Sequence, residues 1–142
     1  MKAEHILQSK GTDVFAVKDQ DSIADAVMVL NSKNIGAVIV EDNSGAIVGI
    51  LSERDIVRRL GAKGVDALSM RVAECMTAKP YTCSHEASVD DMMAQMTDKR
   101  IRHLPITNGG AIVGVISIGD VVKRKIEQAE QEAQALKEYI SS

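Results

Sequence analysis

Tryptophan is missing from this chain, and Phe15, Tyr81 and Tyr139 are its only aromatic residues. Three scattered rings cannot form a platform on which single-stranded bases stack. Positive charge is not in excess either, since 17 Lys and Arg stand against 20 Asp and Glu for a net charge of −3. That balance argues against a surface built to neutralise nucleic-acid phosphates. Cysteine is scarce: Cys75 and Cys83 lie eight positions apart with only His85 close by. A structural zinc site takes four such ligands at tight spacings, so both cysteines read as reduced thiols and the compartment as cytoplasmic. No apolar run approaches the ~20 residues that span a bilayer, and the polar start Met1-Lys-Ala-Glu-His is no signal peptide. No membrane partner is expected. Gly-x-Ser-x-Gly, His-Glu-x-x-His and the Walker Gly-Lys-Ser/Thr are all absent, and Gly109-Gly110 reads as a turn. The expectation is a protein without catalysis and without a catalytic cofactor. At 45% hydrophobic, the chain can nevertheless bury a core.

What the chain does have is a copy of itself. Residues 45–60 and 110–125 are identical at nine of sixteen positions at an offset of 65: Gly45, Ala46, Ile47, Val48, Gly49, Ser52, Asp55, Val57 and Arg59. Upstream the match continues at an offset of 66, pairing Phe15 with Tyr81, Ser22 with Ser88, Asp25 with Asp91, Leu30 with Met96, Lys33 with Lys99 and Ile35 with Ile101. The copies cover roughly 12–60 and 78–125, and a repeat of this kind sets the architecture before any single motif does. What is left over is a short N-terminus, a linker near 61–77 and a C-terminal tail.

One copy reads as strand, helix, strand, strand, helix. Val14–Val17 is rich in strand formers. Ser22-Ile-Ala-Asp25 opens a helix that carries Ile23, Ala26, Val27 and Leu30 on one face and ends near Asn34-Ile35-Gly36. Ala37–Val40 is a continuous apolar run, which predicts a strand covered on both faces. Asp42-Asn-Ser-Gly45 is turn chemistry, Ile47–Leu51 returns as a second strand, and Ser52-Glu-Arg-Asp55 starts a helix closed by Gly61. The second copy repeats this at 80–83, 88–100, 103–107, 111–116 and from about 118.

Ser-x-x-Asp occurs four times, at Ser22/Asp25, Ser52/Asp55, Ser88/Asp91 and Ser117/Asp120. In each, the serine can cap a helix and the acid can return a bond to the cap. The pairs at 52 and 117 also sit directly off a buried strand. There the hydroxyl, the free helix N–H groups and the carboxylate share a strand's carboxyl end, where anions and ribose diols are commonly held. A cap and a ligand contact do not exclude each other.

The tandem strand–helix–strand–strand–helix unit, each copy ending in Gly-apolar-apolar-Ser-x-x-Asp, resembles a pair of CBS domains, named after cystathionine β-synthase. Val72-Ala-Glu-Cys-Met-Thr77 followed by Pro80-Tyr-Thr-Cys83 is similar to the family's entry into a second copy. Lys99-Arg-Ile-Arg-His-Leu-Pro-Ile106 is similar to its Arg-His-Leu-Pro strand. The resemblance implies an α+β fold of two pseudo-symmetric β-α-β-β-α repeats packed as one compact module, with an extended C-terminal helix. On that division residues 1–65 form the first repeat, 66–126 the second and 127–142 the helical extension.

The resemblance further implies a regulatory, energy-sensing module that binds adenosine nucleotides, AMP first among them, then ADP or ATP, with NAD and S-adenosylmethionine as further candidates. Ribose hydroxyls would meet Asp55 and Asp120, beside Ser52 and Ser117. The adenine edge would be read at Lys79-Pro80-Tyr81-Thr82 for the Asp55 cleft and at Thr12 and Val14 for the Asp120 cleft. Phosphate partners would be Arg102 and His103, for which the first copy has Gly36 and Ala37. Arg54 corresponds to Gly119. Arg54, Arg102 and His103 are therefore expected to converge on the Asp55 cleft and favour it for a phosphate, since arginine's planar fork suits phosphate oxygens. The plainer readings are a solvated Arg54 and a structurally satisfied His103.

The tail carries Val122, Ile126, Ala129, Ala133, Leu136 and Ile140 at spacings of 4, 3, 4, 3 and 4. This heptad-like stripe either packs back on its own domain or meets a second copy, and the family's habit of dimerising points to a homodimer. A regulated protein partner is also implied. The alternative to a nucleotide sensor is an interaction adaptor with vestigial clefts that uses the tail as its handle.

Overall fold

The computed structural model describes residues 1–141. The chain forms two units: Val14–Tyr81, and Met1–Asp13 together with the chain from Thr82 onward.

In the contiguous unit, β1 (Ala16–Lys18) runs parallel to β2 (Ala37–Glu41), which pairs antiparallel with β3 (Ile47–Ser52), and β3 in turn with β4 (Thr77–Ala78). Two helices serve this sheet, α2 (Ile23–Lys33) and α3 (Glu53–Lys63). The apolar run 37–40 is buried throughout. Val38 and Val40 pack with Ile23, Ala26, Leu30, Leu51 and Ile56, while Ile39 alternates to the opposite face and is also fully buried. Burying a side chain of this size contributes about 1.5–3 kcal/mol. Asp42 makes the β2–β3 turn by accepting from the Ser44 hydroxyl and from the Ser44 and Ala46 N–H groups. These bonds hold its carboxyl below the usual carboxylate range.

The other unit repeats the plan. β5 (Cys83–Ser84) is parallel to β6 (His103–Asn108), which is antiparallel to β7 (Ala111–Ser117), with α5 (Val89–Lys99) and α6 (Ile118–Ser141). Met92, Met96, Leu104, Ile106, Ile116 and Val121 form its core.

Each unit also takes in the segment that precedes the other copy. Ahead of the first copy, α1 (Ala3–Lys10) buries Ala3, Ile6 and Leu7 in the core of the second. Ahead of the second copy, α4 (Val72–Cys75) buries Val72 and Cys75 in the core of the first. The attachments correspond bond for bond. Val89, Ala3 and Glu4 donate to the carbonyls of Met1, Ala87 and His85, as Ile23, Val72 and Ala73 donate to those of Met70, Asp21 and Asp19. Lys2 bridges Ser88 as Arg71 bridges Ser22. The leader segments are thus related by an offset of 69, three residues out of step with the 66 of the adjoining repeat. Leu7 then corresponds to Met76, and each lies against a strand glycine. A Cβ on Gly114 would meet Leu7 Cδ2 at 2.5 Å, and one on Gly49 would meet the Thr77 carbonyl at 2.7 Å and Met76 Sδ at 2.8 Å.

Three local expectations change. α3 does not stop at Gly61 but runs to Lys63 and is closed by Gly64 at φ 63°, because one glycine inside a helix is tolerated at a cost of about 1 kcal/mol. The stretch expected as a linker holds a 3-10 turn at Gly64–Ser69 and then α4. Of the strand expected at 80–83 only Cys83 is extended in a sheet, at the start of β5; β4 has already ended at Ala78, ahead of Lys79 at φ 50°.

The glycine contacts give a paired prediction. Gly49→Ala should lower stability in urea denaturation by about 1–3 kcal/mol, as overpacking against a backbone carbonyl does. Gly61→Ala, whose Cβ meets nothing within 4 Å, should raise it by about 1 kcal/mol. Equal effects would remove the close approach at β3 as an explanation.

Candidate functional site

The two Ser-x-x-Asp motifs singled out by sequence stand where β3 passes into α3 and β7 into α6. Strand and helix meet there without a loop. Ser52 is extended (φ −108°, ψ 164°) and caps α3. Its N–H donates to Asp55 Oδ2 at 2.9 Å, its hydroxyl to the same oxygen at 3.1 Å, and its Oγ accepts from the Asp55 N–H at 3.4 Å. Both residues are half-buried. This capping box fixes the carboxylate at the carboxyl end of the strand, beside the first-turn N–H groups and their partial positive charge. Ser22 and Ser88 also cap their helices, accepting from Asp25 and Asp91 N–H at 3.1 and 3.0 Å.

The second site has the same frame. Ser117 N–H donates to Asp120 Oδ2 at 2.9 Å, and Ser117 Oγ accepts from the Asp120 N–H at 3.2 Å. It also has an addition the sequence reading missed. From the last residue of α1, Lys10 Nζ donates to Asp120 Oδ2 at 2.7 Å and to the Val115 carbonyl at 2.8 Å. Burial pushes the Asp120 carboxyl up, but the bond from Lys10, the Ser117 N–H and the lysine's charge outweigh it and leave the pKa below the usual carboxylate value. By the leader offset, Lys10 corresponds to Lys79, which is exposed at the end of β4. The offset of 69 between Lys2-…-Leu7-…-Lys10 and Arg71-…-Met76-…-Lys79 was the available signal, hidden because it differs from that of the repeats.

The remaining candidates fall as follows. Gly36 and Ala37 open β2, where Ala37 is in register with Ser52 and the Gly36 carbonyl accepts from the Glu53 N–H at 2.9 Å. Arg102 and His103 hold the equivalent place, with His103 opposite Ser117 and the Arg102 carbonyl accepting from the Ile118 N–H at 2.8 Å. Strand register thus brings Arg102 and His103 to the Ser117–Asp120 end of their own unit. Arg54 is exposed on the first turn of α3, one residue from Asp55. Lys79, Pro80 and Tyr81 belong to the unit of Asp55 and Thr12 to that of Asp120, whereas Val14 and Thr82 each begin the other unit's stretch of chain. A groove of about 500 Å³ lies between α2 and α3, lined by Val27, Leu30, Ile35, Ile56, Val57 and Leu60; neither Ser52 nor Asp55 lines it.

The basic runs have structural partners. Arg59 donates to the Glu74 carbonyl at 2.9 Å, Arg124 to Glu127 at 2.9 Å and to the Ser9 hydroxyl, and Lys125 to Asp90 at 2.8 Å. Cys75 and Cys83 are free, buried thiols, and burial raises the pKa of both. Among the described residues no helix is long and apolar enough to cross a membrane.

Comparison with known proteins agrees with this geometry. The CBS domain model matches residues 7–62 and 72–127. CBS domain-containing protein CBSX3, mitochondrial, from Arabidopsis thaliana is 36% identical over 124 residues, covering 84% of this chain and 60% of that protein. The chain therefore spans less than two thirds of that relative. The crystal structure of a CBS-domain containing protein from Agrobacterium tumefaciens superposes with a TM-score of 0.84 at 39% identity, over 87% of this chain and 92% of that one. The CBS domain pair of protein MJ0100, solved with 5′-methylthioadenosine and S-adenosylmethionine, shares the fold with a TM-score of 0.78 at 22% identity, over 90% of this chain and 98% of that one. A matching family model over both copies and a solved relative at this identity place the chain in the CBS-domain family, as a tandem pair of the kind that serves as a regulatory ligand-binding module.

Proposed function

We propose that this protein is a non-catalytic sensor of adenosine nucleotides, with AMP as its ligand and Asp55 as the residue that holds the ribose. The observation that carries the reading is the Ser52–Asp55 box at the junction of β3 and α3. Among the described residues its carboxylate is engaged by groups of its own cap, a serine N–H and hydroxyl that can share it with a ribose diol. The N–H groups of the first turn and Arg54 supply positive potential on the same turn for a phosphate, and Lys79–Tyr81 supplies backbone for the adenine edge. That MJ0100 accommodates adenosine-derived ligands on a similar fold supports the ligand class. The buried thiols fit the reducing conditions of a cytoplasm.

Asp55→Ala is expected to weaken AMP binding in calorimetry by roughly 10- to 150-fold, the loss of a hydrogen bond to a charged group of about 1.5–3 kcal/mol. The same change removes the acid of a capping box, so some loss of stability accompanies it. Unchanged affinity in a folded variant defeats the ribose assignment. The competing reading, an adaptor with vestigial clefts, is separated by a thermal-shift screen of AMP, ADP, ATP, NAD and S-adenosylmethionine. A ligand at 100 times its Kd adds about 2.7 kcal/mol of stability, and an adaptor shows no shift with any of them.

The sensor is a homodimer in this reading, joined at least in part through α6. Every residue from Gln128 to Ser141 is exposed, including Leu136 at 59% and Ile140 at 74%. A lone segment of this length is marginal as a helix in water. With Ile126, Ala133 and Ile140 at a positions and Val122, Ala129 and Leu136 at d, a parallel pair sets Glu132 of one chain against Lys137 of the other. It also sets Lys125, already bound to Asp90, against Glu130. An antiparallel pair instead opposes Glu130 to Glu130 and Glu132 to Glu132, so charge selects the parallel arrangement. Light scattering of the full chain at micromolar concentration should give about twice 15.3 kDa, and the chain ended after Lys125 should fall toward the single-chain mass. A full-length mass near 15.3 kDa rejects the dimer, and a truncated chain that stays dimeric rejects the tail as the contact.

A further inference from the structure

The equivalence of the two carboxylates breaks at one atom. Asp55 Oδ2 accepts from the N–H and hydroxyl of its own cap, whereas Asp120 Oδ2 accepts from its cap N–H and from an ammonium delivered by a different element, 110 residues away in sequence. The delivery is built in. α1 is held to the second repeat by buried Ala3, Ile6 and Leu7 and by the backbone bonds to His85 and Ala87. Gly114 leaves room for Leu7, which brings the last turn of α1 over β7. In the first repeat the corresponding leader makes a single helical turn, α4, and then leaves to pair as β4 with β3. It ends with Lys79 exposed at φ 50° rather than on the carboxylate. A continuous helix where its counterpart is one turn and a strand is what carries Lys10 to Asp120.

We propose that Lys10 is a tethered competitor for the ribose-binding carboxylate of the second repeat, and so the residue that decides whether that site accepts a nucleoside. This rests on the nucleotide reading given above and adds the determinant of which copy responds. A ribose diol binds a carboxylate by donating two hydrogen bonds. At Asp120 it must displace an ammonium that is stronger as a donor, charged, and present at the fixed local concentration of a folded helix. The lysine can leave without unfolding anything. It is the terminal residue of α1, followed by Gly11 at φ 105°, and its side chain and that of Asp120 keep 35% and 26% of their surface exposed. The second site is therefore closed at low nucleoside concentration and open at high, while the first takes ligand from the start.

The test uses the full chain and uncharged adenosine, so that no phosphate interaction masks the carboxylate. Calorimetry should show one site per wild-type chain in the working range and two in Lys10→Met, which keeps the aliphatic stem. The second site should tighten on the order of tenfold, the effect of removing a partly screened charged hydrogen bond. Lys10→Met combined with Asp120→Ala should return to one site. A side-chain carboxyl titration by NMR reads the tether without any ligand, and the Asp120 pKa should rise in Lys10→Met. Two equal sites in the wild type, an unaltered single site in Lys10→Met, or an Asp120 pKa that does not move each overturns the proposal. Absence of adenosine and AMP binding from both proteins, with the pKa rise present, instead defeats the nucleotide reading and takes the role of Lys10 in ligand choice with it.

Discussion

Six backbone hydrogen bonds, three in each unit, hold the leaders to repeats that are not the ones they precede. The Ala3 and Glu4 N–H groups and the Met1 carbonyl in one unit match the Val72 and Ala73 N–H groups and the Met70 carbonyl in the other. Unpaired backbone groups of this kind are costly once covered by side chains, so the bonds and the packing of the leaders require each other. Gly49 and Gly114 follow from the same constraint. Each lies on the strand that precedes a Ser-x-x-Asp motif, where any side chain would push Met76 or Leu7 away and lift the leader off the sheet. The identity of these glycines in both copies is a packing requirement before it is anything else.

The carboxylate sites are set by the same economy of chain. With no loop between β3 and α3, or between β7 and α6, one serine is at once the last residue of a strand and the cap of a helix. The acid three residues on is then fixed at the strand's end by the helix geometry alone. The first-turn N–H groups that no helical carbonyl can reach face the same way. A structural motif thus produces a polar, rigid, partly exposed corner, and what the corner does depends on what else reaches it. At Asp120 that is Lys10.

The repeat was legible because its period is carried by residues with strong local roles: turn glycines, capping serines and acids, and β-branched strand residues. Ser22, Ser52, Ser88 and Ser117 announce their helices unaided, and Ala37–Val40 announces a strand buried on both faces. The two-copy fold and the long last helix followed from those positions. α1 was not legible, since Ala3, Ile6 and Leu7 are too few apolar positions to set up a period in eight residues. Its docking on the second repeat is a non-local fact that no window of sequence contains. Lys10 was missed for that reason, and a lysine at the end of a short helix ordinarily does no more than complement the helix dipole. The register of His103 opposite Ser117 is set by the β6–β7 turn at Gly109-Gly110 and not by the charged residues themselves.

The exchange of leaders also sets an order of events in time. Val14–Tyr81 is one uninterrupted stretch that contains the leader docked on it, so every contact of that unit is available once it has left the ribosome. The other unit is assembled from Met1–Asp13 and the chain from Thr82 onward. Its α1 must wait, apolar side chains uncovered, through the synthesis of the entire intervening unit before β5 to α6 exist to receive it. Closing so long a loop is slow relative to local pairing, and a folded Val14–Tyr81 shortens it by holding residues 14 and 81 in one unit. The contiguous unit needs no segment made after Tyr81, whereas α1 pairs only with segments that follow it by roughly seventy residues or more.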